Sequence, residues 1–337
     1  MKVAVDAMGG DHAPAAVVQG SARAASELGI DIVLVGHKKA IQGTLDAQSS
    51  TDHISICHCE EVVHMDESPL KAVRRKNDSS IKVAFDLVKS GEVDAVVSAG
   101  NSGATLAAGI LTLGRVEGVE RPAIASILPG ERGHVILIDV GANVDCRPSH
   151  LFRFGIMAEA FATSCLGMEH PKIGLLSIGE EGSKGNEQVR LARELFKQSS
   201  LNFVGNVEGR DIFSGDVEII VCDGFVGNVA LKLSEGMAQA MTTLLEMELM
   251  TSPLSRTGLL ICRKSLARFK KRVDYQEYGG APLLGINGVG IVCHGGSSAR
   301  AIQNAIKLAG RYVENRGLEK MIAQLNTCKS AEVHGHA

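Results

Sequence analysis

One phrase recurs along the chain and limits what it can fold into. An aliphatic run of four to six residues stops at glycine, asparagine, aspartate or serine, and a helix-like stretch follows. Val3–Asp6 runs into Ala-Met-Gly-Gly-Asp-His, and Ala95–Ser98 into Ala-Gly-Asn-Ser-Gly. Val135–Val140 runs into Gly-Ala-Asn, and Ile173–Ile178 into Gly-Glu-Glu-Gly-Ser-Lys-Gly-Asn. Glu218–Cys222 leads to Asp-Gly-Phe-Val-Gly-Asn, and Val289–Cys293 to His-Gly-Gly-Ser-Ser. Strands alternating with helices make βαβ units, hence an α/β fold. Ligands of such sheets sit beyond the carboxyl ends of the strands, where these turns fall. With no Trp, 3 Tyr and 9 Phe, the core must rest on aliphatic side chains, as in parallel strands covered on both faces.

A second pattern interrupts the first. Leu233, Met237, Ala240, Leu244 and Met247 recur at helical spacing, Thr251-Ser-Pro253 breaks the run, and Leu259, Cys262, Leu266, Phe269 and Val273 line a second helix. Its other positions carry Arg256, Arg263, Lys264, Arg268, Lys270, Lys271 and Arg272, with no acidic residue between Glu248 and Asp274. Residues 233–275 therefore read as a helical hairpin protruding from a single α/β domain over 1–328. A lone hairpin cannot bury both faces, so pairing with a second copy as a bundle is expected. Leu259 and Leu260, with Arg263, Lys264, Arg268 and Lys271 nearby, also suit an anionic membrane surface. Residues 329–337 are expected to form a disordered tail.

Several function classes are disfavoured. The net charge of −3 provides no global attraction to nucleic acid. The chain opens directly on a strand, so no signal peptide is expected, and no apolar run approaches the roughly 20 residues that span a bilayer. Eight scattered cysteines without a C-x-x-C pair point to a reducing compartment, the cytoplasm. Gly288 and Gly290 begin a G-x-G-x-x-G, but Cys293 stands where its last glycine belongs; Walker A and G-x-S-x-G motifs are also missing. His53, Cys57, His58, Cys59 and His64 cluster without a common zinc spacing, and no metal is expected.

The turns themselves carry the chemistry. Gly9, Gly10, Gly100, Gly103, Gly185 and Gly295 let the main chain approach a ligand, and successive amides opening into helices bind anions. Asn101, Asn143, Asn186 and Asn228 flank glycines in these turns, Ser102 and Ser297 add hydroxyls, and Lys184 is a lone cation suited to a small oxyanion. The bland alternative for each is a helix cap or a tight turn. Asp11-His12 and His294 bring two candidate proton donors or anion ligands. Asp223 suits either orienting a catalytic group or capping the next helix. Arg74, Arg75 and Lys76 form a basic strip that fits an acidic protein partner.

At these turns the sequence resembles the bacterial phosphate acyltransferase family. The matching motifs are Asp6-Ala-Met-Gly-Gly-Asp-His-Ala-Pro14, Met65-Asp-Glu-Ser-Pro-Leu-Lys-Ala-Val-Arg-Arg-Lys-Asn-Asp-Ser-Ser80, Ser98-Ala-Gly-Asn-Ser-Gly-Ala104 and Asp139-Val-Gly-Ala-Asn143. Lys184-Gly-Asn-Glu187, Glu208-Gly-Arg-Asp211, Asp223-Gly-Phe-Val-Gly-Asn228, Glu277-Tyr-Gly-Gly-Ala-Pro-Leu-Leu-Gly285 and His294-Gly-Gly-Ser297 follow in order. Ser177 departs from the pattern, which has Asn there. The resemblance implies a three-layer α/β/α fold similar to the isocitrate and isopropylmalate dehydrogenases without their cofactor, and a homodimer. It also implies a reaction in which long-chain acyl-acyl-carrier protein and inorganic phosphate give acyl phosphate and free carrier protein. Acyl phosphate then feeds the membrane glycerol-3-phosphate acyltransferase, placing the enzyme at the inner face of the membrane. On this reading Lys184, Asn186, Asn228 and the Gly100–Gly103 amides hold phosphate and the developing oxyanion, and His12 or His294 protonates the leaving sulfur. The rivals are a phosphotransacetylase-type enzyme acting on short acyl-CoA, a decarboxylating dehydrogenase, and a membrane-associated adaptor.

Overall fold

The computed structural model describes residues 1–48 and 51–334. β1 (Lys2–Asp6), α1 (Ala15–Leu28), β2 (Asp31–Gly36), α2 (Lys38–Leu45) and β3 (Ile54–His58) open the chain; α3 (Pro69–Arg75), α4 (Ser80–Lys89), β4 (Ala95–Ser98) and α5 (Ser102–Leu113) follow. An antiparallel pair, β5 (Ala123–Gly130) and β6 (Gly133–Ile138), leads to α6 (Pro148–Phe161), β7 (Ile173–Leu176), α7 (Glu187–Lys197), β8 (Phe203–Val207) and β9 (Ile219–Val221). Two long helices, α8 (Gly224–Leu249) and α9 (Pro253–Val273), precede β10 (Ala281–Leu284), β11 (Val289–Val292), α10 (Ala299–Glu314) and α11 (Gly317–His334).

All the strands join one sheet in the order β3-β2-β1-β4-β11-β10-β5-β6-β9-β7-β8. β3, β2, β1, β4 and β11 are mutually parallel, and so are β6, β9, β7 and β8. Between the sets, β10 is antiparallel to both neighbours and β5 is antiparallel to β6, so the two sets run in opposite directions. A flush sheet would then put their carboxyl ends at opposite edges. A stagger prevents this. Leu283 pairs with both Gly290 and Ile124, which sets Val292, the last residue of β11, level with Ser126. Ile138, the last residue of β6, pairs with Ala125. The carboxyl ends of the two sets therefore overlap in the middle of the sheet. The purely βαβ reading missed these antiparallel strands. The β5–β6 turn, Glu131-Arg132 between two glycines, lacks the Asn-Gly or Asp-Gly signature of a tight hairpin.

Alternation along the strands splits the core into two layers. Val3, Val5, Ile32, Leu34 and Val97 pack under α1 and α10, with Val18 and Ile306 on those helices, and Phe154 of α6 fills the same layer over β6 and β9. Ala4, Val33, Val35 and Val96 turn to the other face, against Val73, Phe85 and Ala108 of α3, α4 and α5. That is the expected three-layer arrangement, and nearly all of the filling is aliphatic.

Where the hairpin was expected, α8 and α9 follow each other across a short break, and α8 is longer than the apolar spacing suggested. α8 begins at Gly224, well before Leu233, and is capped by Asp223, whose Oδ1 accepts from the Phe225 and Val226 amides at 3.0 Å. Beyond the body of the protein α8 and α9 expose large apolar side chains, among them Leu233, Met241, Leu244, Leu254, Leu260 and Ile261. At the other end of the chain, α11 continues helical to His334, through most of the segment expected as a disordered tail; 335–337 lies outside the described residues. Among the described residues no helix is long and apolar enough to cross a membrane.

Candidate active site

The overlap of carboxyl ends creates a cleft of about 250 Å³. Ser102 and Gly103 line it from the start of α5, Val140 and Gly141 from the turn after β6, and Asn228, Leu231, Lys232 and Glu235 from α8. Tyr278, Gly280, His294 and Ser297 close the remaining side.

Three turns are locked together beside it. A Cβ on Gly9 would lie 2.6 Å from the Gly100 backbone nitrogen, so only glycine allows the turns after β1 and β4 to touch. The Asp11 amide donates to Gly295 O at 2.8 Å, adding the turn after β11. Beneath them Asp6, almost fully buried, accepts from Ser98 Oγ at 2.7 Å and from the Met8 amide at 3.2 Å, and Ser98 Oγ accepts from the Gly100 amide. A second buried carboxylate organises the other set. Asp139 accepts from the amides of Ile124, Ala142 and Asn143 and from Asn143 Nδ2, all within 3.1 Å. A Cβ on Gly227 would sit 1.9 Å from Asp139 O, so glycine is what lets α8 start directly on this turn.

Burial raises the carboxyl of Asp6 above its ordinary value near 3.8, against the bonds that favour its ionised form. Between those two values the folded chain holds a proton that the unfolded chain has lost. The contribution of Asp6 to stability is therefore full below 3.8 and falls as pH rises through the raised value. Asp6→Asn keeps an acceptor for Met8 without the charge, so its stability relative to wild type is expected to improve between pH 4 and pH 7. Urea unfolding midpoints at the two pH values check this; a constant difference would contradict it.

The four asparagines of the turns divide. Asn101 caps α5, its Oδ1 accepting from Ala104, while its Nδ2 donates to Met65 O and Glu67 O, tying the loop before α3 across the helix start. Asn143 is buried and its Nδ2 is committed to Pro122 O and Asp139. Asn186 caps α7 through Val189 N. Asn228 alone of the four lines the cleft. Asp223 proves to be the α8 cap described above.

The cations redistribute as well. Exposed Lys184, with Gly185 and Asn186, belongs to the turn after β7, two strands beyond β6, and does not line the cleft. Lys232 does, and the sequence reading missed it; its Nζ lies 2.8 Å from Glu235 Oε2. Its signal was its position four residues after Asn228, on the same helix face. Lys76 is not open to a partner, because its Nζ donates to Val62 O and pairs with Glu67 at 2.5 Å. Arg74 and Arg75 are exposed at the end of α3. Ser177 keeps a buried hydroxyl with no hydrogen-bond partner, against Gly185.

Of the two histidines, His294 lines the cleft and exposed His12 does not. His294 Nδ1 accepts from the Gly296 amide at 3.1 Å, so the neutral ring carries its proton on Nε2, as a donor. At the start of α5, Asn101 takes the Ala104 and Thr105 amides, which leaves those of Ser102 and Gly103 without an intrahelical acceptor. The cleft thus combines helix-start amides, a carboxamide, an ammonium and an imidazole donor, a set suited to a small oxyanion. Among the described residues no group of three or more His, Cys, Asp or Glu is arranged to hold a metal ion. In the zinc-like cluster His58 is taken up by the Lys38 amide and Glu60.

Comparison with known proteins identifies the family. The model of a family described as fatty acid synthesis protein matches residues 1–320. The chain is 54% identical over 326 residues to the phosphate acyltransferase of Geotalea daltonii, covering 96% of this chain and 94% of the relative. It is 55% identical over 325 residues to that of Geobacter sulfurreducens, with the same coverage. Among solved structures, a phosphotransacetylase from Streptococcus pyogenes superposes with a TM-score of 0.64 at 19% identity, covering 93% and 94% of the two chains. A 4-hydroxythreonine-4-phosphate dehydrogenase from Klebsiella pneumoniae gives 0.53 at 13% identity, covering 93% and 97%. These two likenesses establish the fold alone.

Proposed function

The chain belongs to the phosphate acyltransferase family, and on that premise we propose that it moves a long-chain acyl group from acyl carrier protein to inorganic phosphate. Phosphate oxygen attacks the thioester carbonyl, the carbon–sulfur bond breaks, and the pantetheine sulfur leaves with a proton. Phosphate is already a nucleophile, so the protein needs only to orient it and to stabilise the oxyanion. The observation that carries this reading is the cleft itself. It gathers the Ser102 and Gly103 amides, Asn228, Lys232 and His294 where the two sets of strands end. In this arrangement Lys232 and the α5 amides hold phosphate, Asn228 polarises the developing oxyanion, and His294 Nε2 supplies the proton to sulfur.

Lys232 takes the role that the sequence reading gave to Lys184. Hydrogen bonds to charged groups contribute about 1.5–3 kcal/mol, roughly 10- to 150-fold in binding. Lys232→Ala is therefore expected to raise KM for phosphate by about tenfold or more, with Lys184→Ala within about twofold of wild type. The assay incubates palmitoyl-carrier protein with phosphate and traps acyl phosphate with hydroxylamine. The reverse ranking would return the role to Lys184. The phosphotransacetylase fold keeps a short-acyl-CoA reaction as the second reading, and acetyl-CoA in the same assay separates the two.

The surface supports a reading of the partners. A basic cleft of about 420 Å³ is lined by Arg268, Lys271, Arg272, Lys307 and Arg311, and it shares Ile127 and Tyr278 with the reaction cleft. It suits the acidic carrier protein, with Arg74 and Arg75 as a further basic contact. The exposed apolar faces of α8 and α9 suit a second copy of the chain, and the outer half of the hairpin, with Arg263 and Lys264 at the middle of α9, suits an anionic membrane. Working at the cytoplasmic face, the enzyme would pass its apolar product to the membrane glycerol-3-phosphate acyltransferase. No cofactor enters this scheme.

A further inference from the structure

A groove of about 460 Å³ continues from the reaction cleft along the seam between β5 and α8. Residue by residue it extends the cleft. On β5 the lining passes from Ser126 and Ile127 in the cleft to Leu128, Pro129 and Gly130 in the groove. On α8 it passes from Asn228, Leu231 and Lys232 to Ser234, Met237, Ala238 and Met241, with Glu235 common to both. Phe213 and Phe269 complete the apolar wall, and Arg272 Nη2 bridges the carbonyls of Gly130 and Glu131 beside it. The carboxylate at the junction, Glu235, is paired with Lys232, and the other charged residues of the lining, Glu131 and Arg272, stand at the β5 end of the groove.

We propose that this groove holds the acyl chain of the substrate, and that Ala238 and Met241 set how long a chain is accepted. The inference rests on the acyl-transfer reading of the cleft. A thioester carbonyl held between Asn228 and His294 directs its first methylenes toward Glu235, and the groove is the apolar continuation from there. Its volume falls within the range of small-molecule sites, roughly 300–1,000 Å³. Methionines on one wall adapt to a flexible alkyl chain. Position 241 lies about one helical turn, some 5 Å, further from the cleft than position 238, so the two positions meet different carbons of the chain.

The test measures acyl phosphate formation from butyryl-, decanoyl- and hexadecanoyl-carrier protein in wild type, Ala238→Trp and Met241→Trp. A filled groove costs about tenfold once two buried methylenes lose their contacts. Ala238→Trp is expected to lose activity on both decanoyl and hexadecanoyl substrates and keep butyryl transfer within about twofold. Met241→Trp is expected to keep decanoyl transfer and lose only hexadecanoyl. A general folding defect lowers all three rates together, so the graded order isolates the groove. Parallel losses at every length, unchanged profiles, or a change confined to oligomeric state would overturn the proposal while the acyl-transfer reading stands. Wild type that makes no acyl phosphate from any of the three would overturn that reading and, with it, the occupant assigned here.

Discussion

Asn228→Ala is expected to lower acyl phosphate formation by about 100- to 1,000-fold, the range for removing one preorganised oxyanion donor. The loss should appear in kcat, because the bond strengthens as charge develops on the carbonyl oxygen. Stability should hardly change, since Asn228 is exposed at the start of the second turn of α8 and its side chain caps nothing. Asn143→Ala makes the contrast. Its Nδ2 spans Pro122 O and Asp139 in the buried turn, so the expected change is a lower unfolding midpoint before any specific change in kcat. Single-turnover rates beside urea titrations of the two variants check this. If Asn228→Ala turned over within about threefold of wild type, the oxyanion role would pass to the α5 amides alone.

The hairpin carries the second large effect. Leu260 and Ile261 are 73% and 80% exposed near the tip of α9, so replacing both with aspartate leaves the packing of the hairpin on itself intact. Each such side chain contributes about 1.5–3 kcal/mol when fully transferred from water. Losing two, together with adding two negative charges near an anionic surface, should weaken partition by roughly 100-fold or more. Wild type is therefore expected to float with liposomes containing anionic lipid, and Leu260→Asp/Ile261→Asp to remain in the bottom fraction. Turnover on carrier-protein substrate in solution should be preserved, because neither residue lines the cleft. Equal flotation of both proteins would remove the membrane from the scheme and leave the apolar surface to a second copy.

How far the sequence could be read depends on whether the information was local. Strand ends and the Thr251-Ser-Pro253 break are written in a few adjacent residues and lie within two residues of where the pattern put them, whereas α8 starts at Gly224, well before Leu233. The aspartates closing β1 and β6 were equally visible as letters. Their work was not, because Asp6 and Asp139 accept from donors brought to them by folding, the Ser98 hydroxyl for Asp6 and the Ile124 amide for Asp139. Asn101 and Asn228 look alike in sequence, each beside glycine at the start of a helix. Asn101 is turned to its own helix end and to the 65–67 loop, and Asn228 to the cleft.

By itself the sequence determined the layered α/β class, the chemistry available in the turns, the hairpin and the family. Only the tertiary structure decided which turns share a site. β10 and β5 reverse direction in the middle of the sheet, and their register offsets the two parallel sets until their carboxyl ends overlap. That overlap brings Ser102, Asn228, Lys232 and His294 around one cleft and leaves Lys184 two strands away. Strand register is a relation between segments distant in the chain, set by how side chains pack across the whole sheet, so no local pattern of residues encodes it.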